Sequence, residues 1–141
     1  MKIDQDYLKK LLIAFEDTDG PDTILFQLEE AGFSRDDSNF IFHMRLLHDN
    51  GLIIRVDGDL GFGQEIISGL QGYDYYWVET PLRLTARGHD FIADLRQQEV
   101  WQTIKTGFKD EGLSTLMSVT KSLAQGFAKK KIKDLTGIDV S

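Results

Sequence analysis

A helix that ends at a glycine and passes directly into a strand is the feature that most constrains this sequence. In FIFHMRLLHDNGLI, from Phe40 to Ile53, apolar residues recur at helical spacing as far as Gly51, and β-branched residues follow. Phe40, Met44 and Leu47 fall within one narrow arc, so we expect them to face a core. This pattern is typical of the second helix of a helix-turn-helix that leads into a winged hairpin.

The segments before this helix fit the same element order. Asp4 to about Asp17 has helical periodicity with Asp4 as its expected N-cap, and DTDGPD ends that helix with glycine and proline. TILFQLEEAGF suits either a short strand or a helical turn, and both interpretations stay open. Ser34 or Asp37 is expected to cap the helix that follows.

The segments after Gly51 predict a hairpin and then helices. LIIRV and YYWVETPLRL are the expected strands, joined by a long glycine-rich wing tip at residues 57–74, and Pro81 places the second strand at a sheet edge. Thr85 is expected to cap one long helix through about Phe108, whose apolar stripe drifts slightly in phase near Gln97 and Gln98. A last helix is expected over residues 114–135.

The predicted fold class is therefore α+β: a winged helix, that is a helix-turn-helix plus a β-hairpin wing, with two C-terminal helices. Residues 1–84 would form the winged-helix core, and residues 85–141 a helical extension packed on it. The expected buried residues on both sides of this boundary are Met44, Leu47, Leu52, Phe91 and Leu95.

Composition narrows the class of protein. The 141 residues are 41% hydrophobic and 28% charged, which is typical of one ordinary globular domain. The chain has no cysteine, which excludes disulfides, thiolate metal sites and a cysteine nucleophile. The start, MKIDQDYLKKLLIAF, is neither a signal peptide nor a membrane span, so a cytoplasmic location is expected.

The charge is unevenly distributed. Residues 1–100 hold 9 Lys and Arg against 19 Asp and Glu, a formal charge of -10, and the remainder holds 7 against 4, or +3. No Lys or Arg occurs between Arg55 and Arg83, where the wing tip carries four carboxylates and many apolar or aromatic residues. A polyanion such as DNA would be repelled by this part of the chain, whereas packing or protein association is favoured.

The face of the central helix opposite its core side supplies the candidate contact residues for a partner: Phe42, Arg45, Leu46 and Asp49. A DNA-reading face normally offers several cations and amides, but this one has a single cation. Phe42 and Leu46 are helical neighbours, so together they would form an exposed apolar patch. Two interpretations remain open at equal weight: a protein partner covers the patch, or the C-terminal helices or the wing of the same chain do.

The remaining charged and catalytic candidates are weak. Lys129, Lys130, Lys131 and Lys133 form a basic tail that suits either a solvated helix end or a contact with phosphate or an acidic partner. His43 and His48 point about 140° apart on a helix and cannot share a metal. No set of residues suggests catalysis or a cofactor, so an enzyme is not expected.

The motifs HMRLLHDNGLI and RLTARGHDF, in this order, resemble a family of uncharacterised bacterial and prophage proteins catalogued as domain of unknown function 2513. The resemblance spans roughly residues 1–135. It implies a winged-helix fold and brings no catalytic residue or ligand. The QEIISGLQGYD part of the wing looks longer than is usual for the family.

We therefore expect a non-enzymatic protein-interaction or regulatory module, with a DNA-binding transcriptional regulator as the alternative. The helix over residues 114–135 is expected to form a homodimer, because its apolar stripe would otherwise stay in water. The stripe consists of Leu116, Met117, Val119, Leu123, Phe127 and Ile132, and Leu116, Met117, Leu123 and Phe127 are the groups expected to stay in water without a partner.

Overall fold

The computed structural model describes residues 1–69 and 72–140. Within these ranges it is an α+β protein, with six helices and two small antiparallel sheets. The chain divides into two compact units, Met1–His89 and Asp90–Ser141. The first unit contains three helices and four strands: α1 (Gln5–Glu16), α2 (Leu25–Glu30), α3 (Ser38–Asp49), β1 (Ile53–Arg55), β2 (Gln64–Gly69), β3 (Gly72–Trp77) and β4 (Leu82–Leu84).

Side-chain caps fix the ends of the first helices. The Asp4 carboxylate accepts a hydrogen bond from the Tyr7 N–H, which makes Asp4 the N-cap of α1. Of the two expected caps of α3, Asp37 has this role and accepts from the Asn39 N–H. Gly51 follows α3 with φ +67°, a left-handed conformation that glycine adopts at little cost, and the chain turns there into β1.

The strands form two separate pairs. β1 pairs with β4, and Thr23 bridges to Leu82 on the other side of β4, so the short sheet has the order Thr23, β4, β1. The ambiguous TILFQLEEAGF segment therefore contains both expected elements, a one-residue bridge and then α2. β2 pairs with β3 to form a second hairpin between β1 and β4.

This second hairpin corrects two predictions. The segment between β1 and β4, residues 56–81 and here called the wing, contains a regular six-residue ladder where a glycine-rich tip was predicted. YYWVETPLRL, predicted as one strand, belongs to two strands, β3 and β4. Aromatic and β-branched residues on both sides of the tip stabilise cross-strand pairs, which outweighs the glycines as a local signal. Leu70 and Gln71 lie outside the described residues.

The core of the first unit comes from α1, α2, α3 and the short sheet. Phe40, Met44 and Leu47 are buried, as the periodicity of α3 predicted. Each large apolar side chain that leaves water contributes roughly 1.5–3 kcal/mol to folding. The other buried apolar residues are Leu8, Leu11, Leu12, Phe15, Leu25, Leu28, Phe33, Leu52, Ile53, Leu82 and Leu84.

A glycine allows the helix after β4 to approach the strand closely. Thr85 is its cap, as predicted: the hydroxyl accepts from the Gly88 N–H at 3.1 Å and donates to the Gly51 carbonyl at 2.6 Å. A Cβ at Gly88 would clash with the carbonyl oxygen of Leu52. Only glycine fits this contact without a shift of backbone.

Three helices follow β4, not the two predicted: α4 (Ala86–Leu95), α5 (Gln98–Gly107) and α6 (Leu113–Thr136). The helix expected to run through Phe108 is interrupted before Gln97, whose backbone is extended and forms the N-cap of α5. The interruption absorbs the phase drift of the apolar stripe. Phe91 and Leu95 before it are buried, as predicted, and so are Val100 and Ile104 after it.

The second unit has its own core between α5 and α6. Val100 and Ile104 pack with Leu116 and Ala124, and Trp101, Phe108, Val119, Leu123 and Phe127 lie against this cluster. The stripe expected to stay in water is therefore largely covered by its own chain, because Leu116 and Met117 are buried and Leu123 and Phe127 are half-buried. That part of the argument for a dimer was wrong. From residue 128 to residue 140 every side chain is exposed.

Candidate interaction surface

Aromatic rings pack the base of the wing against α3. The Trp77 ring lies 5.9 Å from that of Phe40 and 5.9 Å from that of Phe62, measured between centroids. The Phe62 ring lies 6.0 Å from the imidazole of His48, whose Nε2 accepts a hydrogen bond from the Gly61 N–H at 3.0 Å. His48 therefore positions the wing. This role could not be predicted from sequence, where the only related signal is the presence of aromatic residues at both ends of the wing.

Gly63 lies next to Val78 at the base of the wing, just before the β2–β3 ladder begins. The Gly63 carbonyl accepts from the Val78 N–H at 2.7 Å, and Gly63 has φ +98°. A Cβ at Gly63 would stand 2.7 Å from the Val78 carbonyl oxygen. A side chain at Gly63 would push it away from Val78 and displace the ladder that begins at Gln64.

Arg45 joins α3 to the wing. Its guanidinium donates to the Gln64 side-chain oxygen at 3.3 Å and lies 5.5 Å from the centre of the Tyr75 ring. Because side chains alternate along a strand, the residues on the same side as these two face α3. This inner face consists of Gln64, Ile66, Ser68, Tyr73, Tyr75 and Trp77.

The opposite side of the hairpin, the outer face, points away from α3. It consists of Glu65, Ile67, Asp74 and Tyr76. Glu65 stands opposite Tyr76, and Ile67 stands opposite Asp74. The two faces therefore present different chemistry, aromatic on the inner side and mixed acidic and apolar on the outer side.

The four predicted partner-contact residues are in different environments. Arg45 and Asp49 are exposed, whereas Phe42 and Leu46 are half-buried. The Phe42 ring packs edge-on against the imidazole of His43, with 5.1 Å between centroids. The wing contacts this face of α3 at Arg45, and the two open interpretations of the Phe42–Leu46 patch both stay predictions.

Beyond Arg45 the inner face is open. Ile66 is 58% exposed, Tyr75 50% and Tyr73 70%, although each is a large apolar or aromatic side chain. Tyrosine and arginine are enriched at protein interfaces, where aromatic side chains contribute large contact areas at low entropic cost. Sequence reasoning found the apolar character of the wing but not this face, because the register that separates Ile66 from Ile67 could not be assigned.

A cavity of about 410 Å³ adjoins the base of the wing. It is lined by Ile24, Leu25, Phe26, Arg35, Trp77 and Glu79, and Phe26 is largely exposed beside it. Arg35 donates to Glu29 at 2.6 Å and 3.1 Å, and these hydrogen bonds hold the pKa of the Glu29 carboxyl below its usual value. The cavity could receive one side chain of a partner.

The charges of the wing oppose a nucleic-acid contact. Arg55, at its start, donates to both carboxylate oxygens of Asp57 at 3.0 Å and 2.6 Å. The pKa of Asp57 is lowered by this pair, and the pKa of Arg55 is raised. Arg55 is thus neutralised by its neighbour and offers little to a phosphate.

His43 has a structural role at the centre of the first unit. Its Nδ1 lies 2.7 Å from the Asn39 carbonyl oxygen, and its Nε2 accepts from the Asp4 N–H at 3.0 Å. Because a carbonyl only accepts, Nδ1 carries the proton and the imidazole is neutral. The ring lies 4.7 Å from that of Tyr7, whose pKa is raised to about 12 by burial, with Asp37 and Asp4 adding to the effect.

The other titratable side chains that we considered lie apart from one another. The third histidine, His89, is exposed on α4. No group of three or more His, Asp or Glu side chains that could hold a metal occurs among residues 1–69 and 72–140. An open groove of about 700 Å³, lined by α1 and α2, brings together Asp17, Asp19 and Glu30, which sequence reasoning did not connect.

The basic tail lies at the end of α6. Lys129, Lys130, Lys131 and Lys133 are all exposed, and Lys133 forms an ion pair with Asp139 at 3.3 Å. Gly137 ends the helix in a left-handed conformation. Within the described part of the chain, no helix has the length and apolar character needed to cross a lipid bilayer.

Comparisons with known proteins identify a family but no activity. The model of a family described as "Hypothetical protein (DUF2513)" matches residues 2–114. An "Uncharacterized protein" of Haemophilus influenzae is 26% identical over 125 residues, which cover 89% of this chain and 93% of that protein. No solved structure matches the chain.

Proposed function

The chain belongs to the DUF2513 family, and we propose that it is a non-catalytic winged-helix protein that binds another protein through α3 and the inner face of the wing. The family match places residues 2–114, and hence the whole wing, within the family's characteristic region. The proposal concerns binding alone.

The order of elements supports the winged-helix assignment. Three helices precede a sheet of the order Thr23, β4, β1, and the hairpin that projects between β1 and β4 occupies the position of a wing. In a winged helix the third helix and the wing form the binding surface. Here those two elements meet at Arg45.

The exposed aromatic inner face is the observation that carries the proposal. A hairpin with Ile66, Tyr73 and Tyr75 in water forfeits apolar burial that a partner would recover. A polar group, Arg45, is already oriented beside these side chains by the wing. Preorganised aromatic and arginine side chains are what hot spots of protein interfaces share.

A DNA-binding regulator is the second candidate, because α3 occupies the place of a recognition helix and carries Arg45. The charge of the chain argues against it. Residues 1–100 have a formal charge of -10, and the wing has no cation. Arg45 is also engaged by Gln64 and Tyr75, so a base contact would have to displace these.

The proposal is tested by affinity capture from an extract of the host cell, performed with and without nuclease. The wild-type chain is compared with Ile66→Ser/Tyr75→Ala, which alters the inner face, and with Ile67→Ser as the matched control. Ile67 is 53% exposed against 58% for Ile66, but it lies on the outer face.

We expect one or more proteins to co-purify with the wild-type chain and the Ile67→Ser control, independently of nuclease. Recovery with Ile66→Ser/Tyr75→Ala should fall at least about tenfold, the loss that corresponds to about 1.4 kcal/mol. Recovery that depends on nucleic acid would support the DNA-binding alternative. Equal recovery with all three chains would contradict binding through the inner face.

A further inference from the structure

The exposed end of α6 has an apolar strip with a cation on each side. At 100° per residue, Ile132 and Leu135 lie within about 40° of Ala128 around the helix axis. Lys131 lies about 60° to one side of Ala128, and Lys129 about 100° to the other. All five side chains are exposed, and Leu135 is 74% exposed.

The outer face of the wing has the complementary arrangement. Because Glu65 stands opposite Tyr76 and Ile67 stands opposite Asp74, the four side chains form a two-by-two array. Its apolar members, Ile67 and Tyr76, occupy one diagonal, at about the 7–8 Å spacing of diagonal cross-strand neighbours. Its two carboxylates occupy the other diagonal, one on each side of the apolar pair.

We propose that the end of α6 of one chain docks on the outer face of the wing of a second copy. The apolar strip of the helix lies along the Ile67–Tyr76 diagonal. Lys129 and Lys131 then face the Glu65 and Asp74 carboxylates. Two copies exchange this contact reciprocally, which closes the assembly as a two-fold pair.

Charge favours a contact of the tail with the wing over a contact between two wings or between two tails. The wing holds five carboxylates and no cation, whereas residues 128–135, which carry the strip, hold four lysines and one carboxylate, Asp134. Wing against wing or tail against tail would bring like charges together, which disfavours a contact. Tail against wing pairs opposite charges and covers apolar groups on both sides.

The surface is separate from the inner face of the proposed function, and the hairpin explains why both can be occupied. Successive residues of β2 point to opposite sides, so Ile66 faces α3 and Ile67 faces away. A partner protein on one side leaves the other side free for a second copy.

Sedimentation velocity of the full chain at tens of micromolar, in buffer of low and of high salt, tests the proposal. Lys129→Glu/Lys131→Glu reverses the charge on both sides of the apolar strip, and this variant is called the tail-reversed chain. Lys130→Glu/Lys133→Glu makes the same charge change on the back of the same helix end. Glu65→Lys/Asp74→Lys reverses the charge on the outer face of the wing, and this variant is called the wing-reversed chain. Circular dichroism confirms that each chain is folded, and Ile67→Ser against Ile66→Ser gives an uncharged comparison.

We expect a dimer that weakens with salt, and a rise of at least tenfold in its dissociation constant for the tail-reversed, wing-reversed and Ile67→Ser chains. Lys130→Glu/Lys133→Glu and Ile66→Ser should stay within about threefold of the wild type. An equimolar mixture of the tail-reversed and wing-reversed chains should dimerise again, because both of its contacts then join opposite charges.

A wild-type chain that stays monomeric at low salt would overturn the proposal. So would equal weakening by both pairs of lysine substitutions. A further variant carries all four substitutions, Lys129→Glu, Lys131→Glu, Glu65→Lys and Asp74→Lys, in one chain. If the mixture stays monomeric while this variant sediments like the wild type, the tail and the wing interact within a single chain. That result would overturn docking on a second copy. None of these results bears on partner capture, which depends on the inner face.

Discussion

Tyr7 has a buried hydroxyl without a hydrogen-bond partner in the described part of the chain. Its ring is held between Phe33, in edge-to-face contact at 5.2 Å, and His43. The ring therefore contributes packing, while the hydroxyl group costs free energy by losing its contact with water.

Tyr7→Phe is accordingly expected to leave the free energy of unfolding unchanged or to raise it by up to about 1 kcal/mol. The pKa of Tyr7 is about 12 in the folded chain against 10.0 for an ordinary tyrosine, so only the unfolded chain ionises in between. The contribution of Tyr7 is complete below pH 10 and is lost as the pH rises to 12. Urea unfolding between pH 8 and 11.5 should show a steeper alkaline decline for the wild type than for Tyr7→Phe, and parallel curves would contradict this.

Two glycines make a matched test of close backbone approach. Gly88→Ala places a methyl group against the Leu52 carbonyl, and a loss of about 1–3 kcal/mol is expected from this overpacking. Gly126, in the interior of α6, has no atom within 4 Å of an added Cβ. Gly126→Ala should therefore stabilise the chain, by about 0.5–1 kcal/mol. Denaturant midpoints that move in the same direction for both variants would contradict the contact at Gly88.

Residue-scale prediction succeeded where a local pattern sufficed. The caps at Asp4 and Thr85 and the glycine stop at Gly51 follow from side-chain chemistry within a few positions. The bridging role of His43 did not follow, because its partner at Asp4 is 39 positions away. The position of His43 next to Met44, on the core side of α3, was the one local indication that it is buried.

At the scale of elements, α3 is the helix on which the first unit depends. Leu47 is fully buried, and Leu46 beside it is half-buried. Leu47→Ala is expected to lower the free energy of unfolding by about 2–5 kcal/mol, because it leaves a cavity. Leu46→Ala, the same change on the other face, should cost clearly less. Equal denaturant midpoints for the two variants would show that the helix is rotated from the orientation described.

Two predictions at this scale were wrong: the single helix after Thr85 and the irregular tip of the wing. The periodicity of α4 and α5 suggested one helix, and the drift at residues 97 and 98 was too small to reveal a break. Residues 57–74 were predicted as a glycine-rich tip without strands, because glycines are frequent there. Pairing between Ile66 and Tyr75 depends on the register of the two strands, which the spacing of apolar residues alone cannot fix.

At the scale of the whole molecule, the formal charge sets our expectation for the binding of nucleic acid. Against random duplex DNA we expect weak and salt-sensitive binding at most, in the non-specific range, because the first 100 residues have a formal charge of -10. Fluorescence anisotropy at physiological salt measures this. Tight binding to a defined duplex that is lost in Arg45→Glu would contradict the expectation.

The candidate surface was predicted only in part. Composition located the apolar wing, and helical periodicity located Arg45, but the contact between them required the fold. The basic tail was found from sequence, and Ile132 of its apolar strip belonged to the predicted stripe, whereas the argument for a dimer rested on the earlier turns of α6, which the chain itself covers.

Site-specific photo-crosslinking in living host cells tests most directly whether the inner face binds protein. A benzophenone amino acid replaces Tyr75 in one chain and Gln98, an exposed residue of α5, in the control. We predict adducts at position 75 that protease removes and nuclease leaves intact, at several times the yield obtained at position 98. Adducts that contain nucleic acid, or a yield no higher than at position 98, would contradict a protein-binding role for this face.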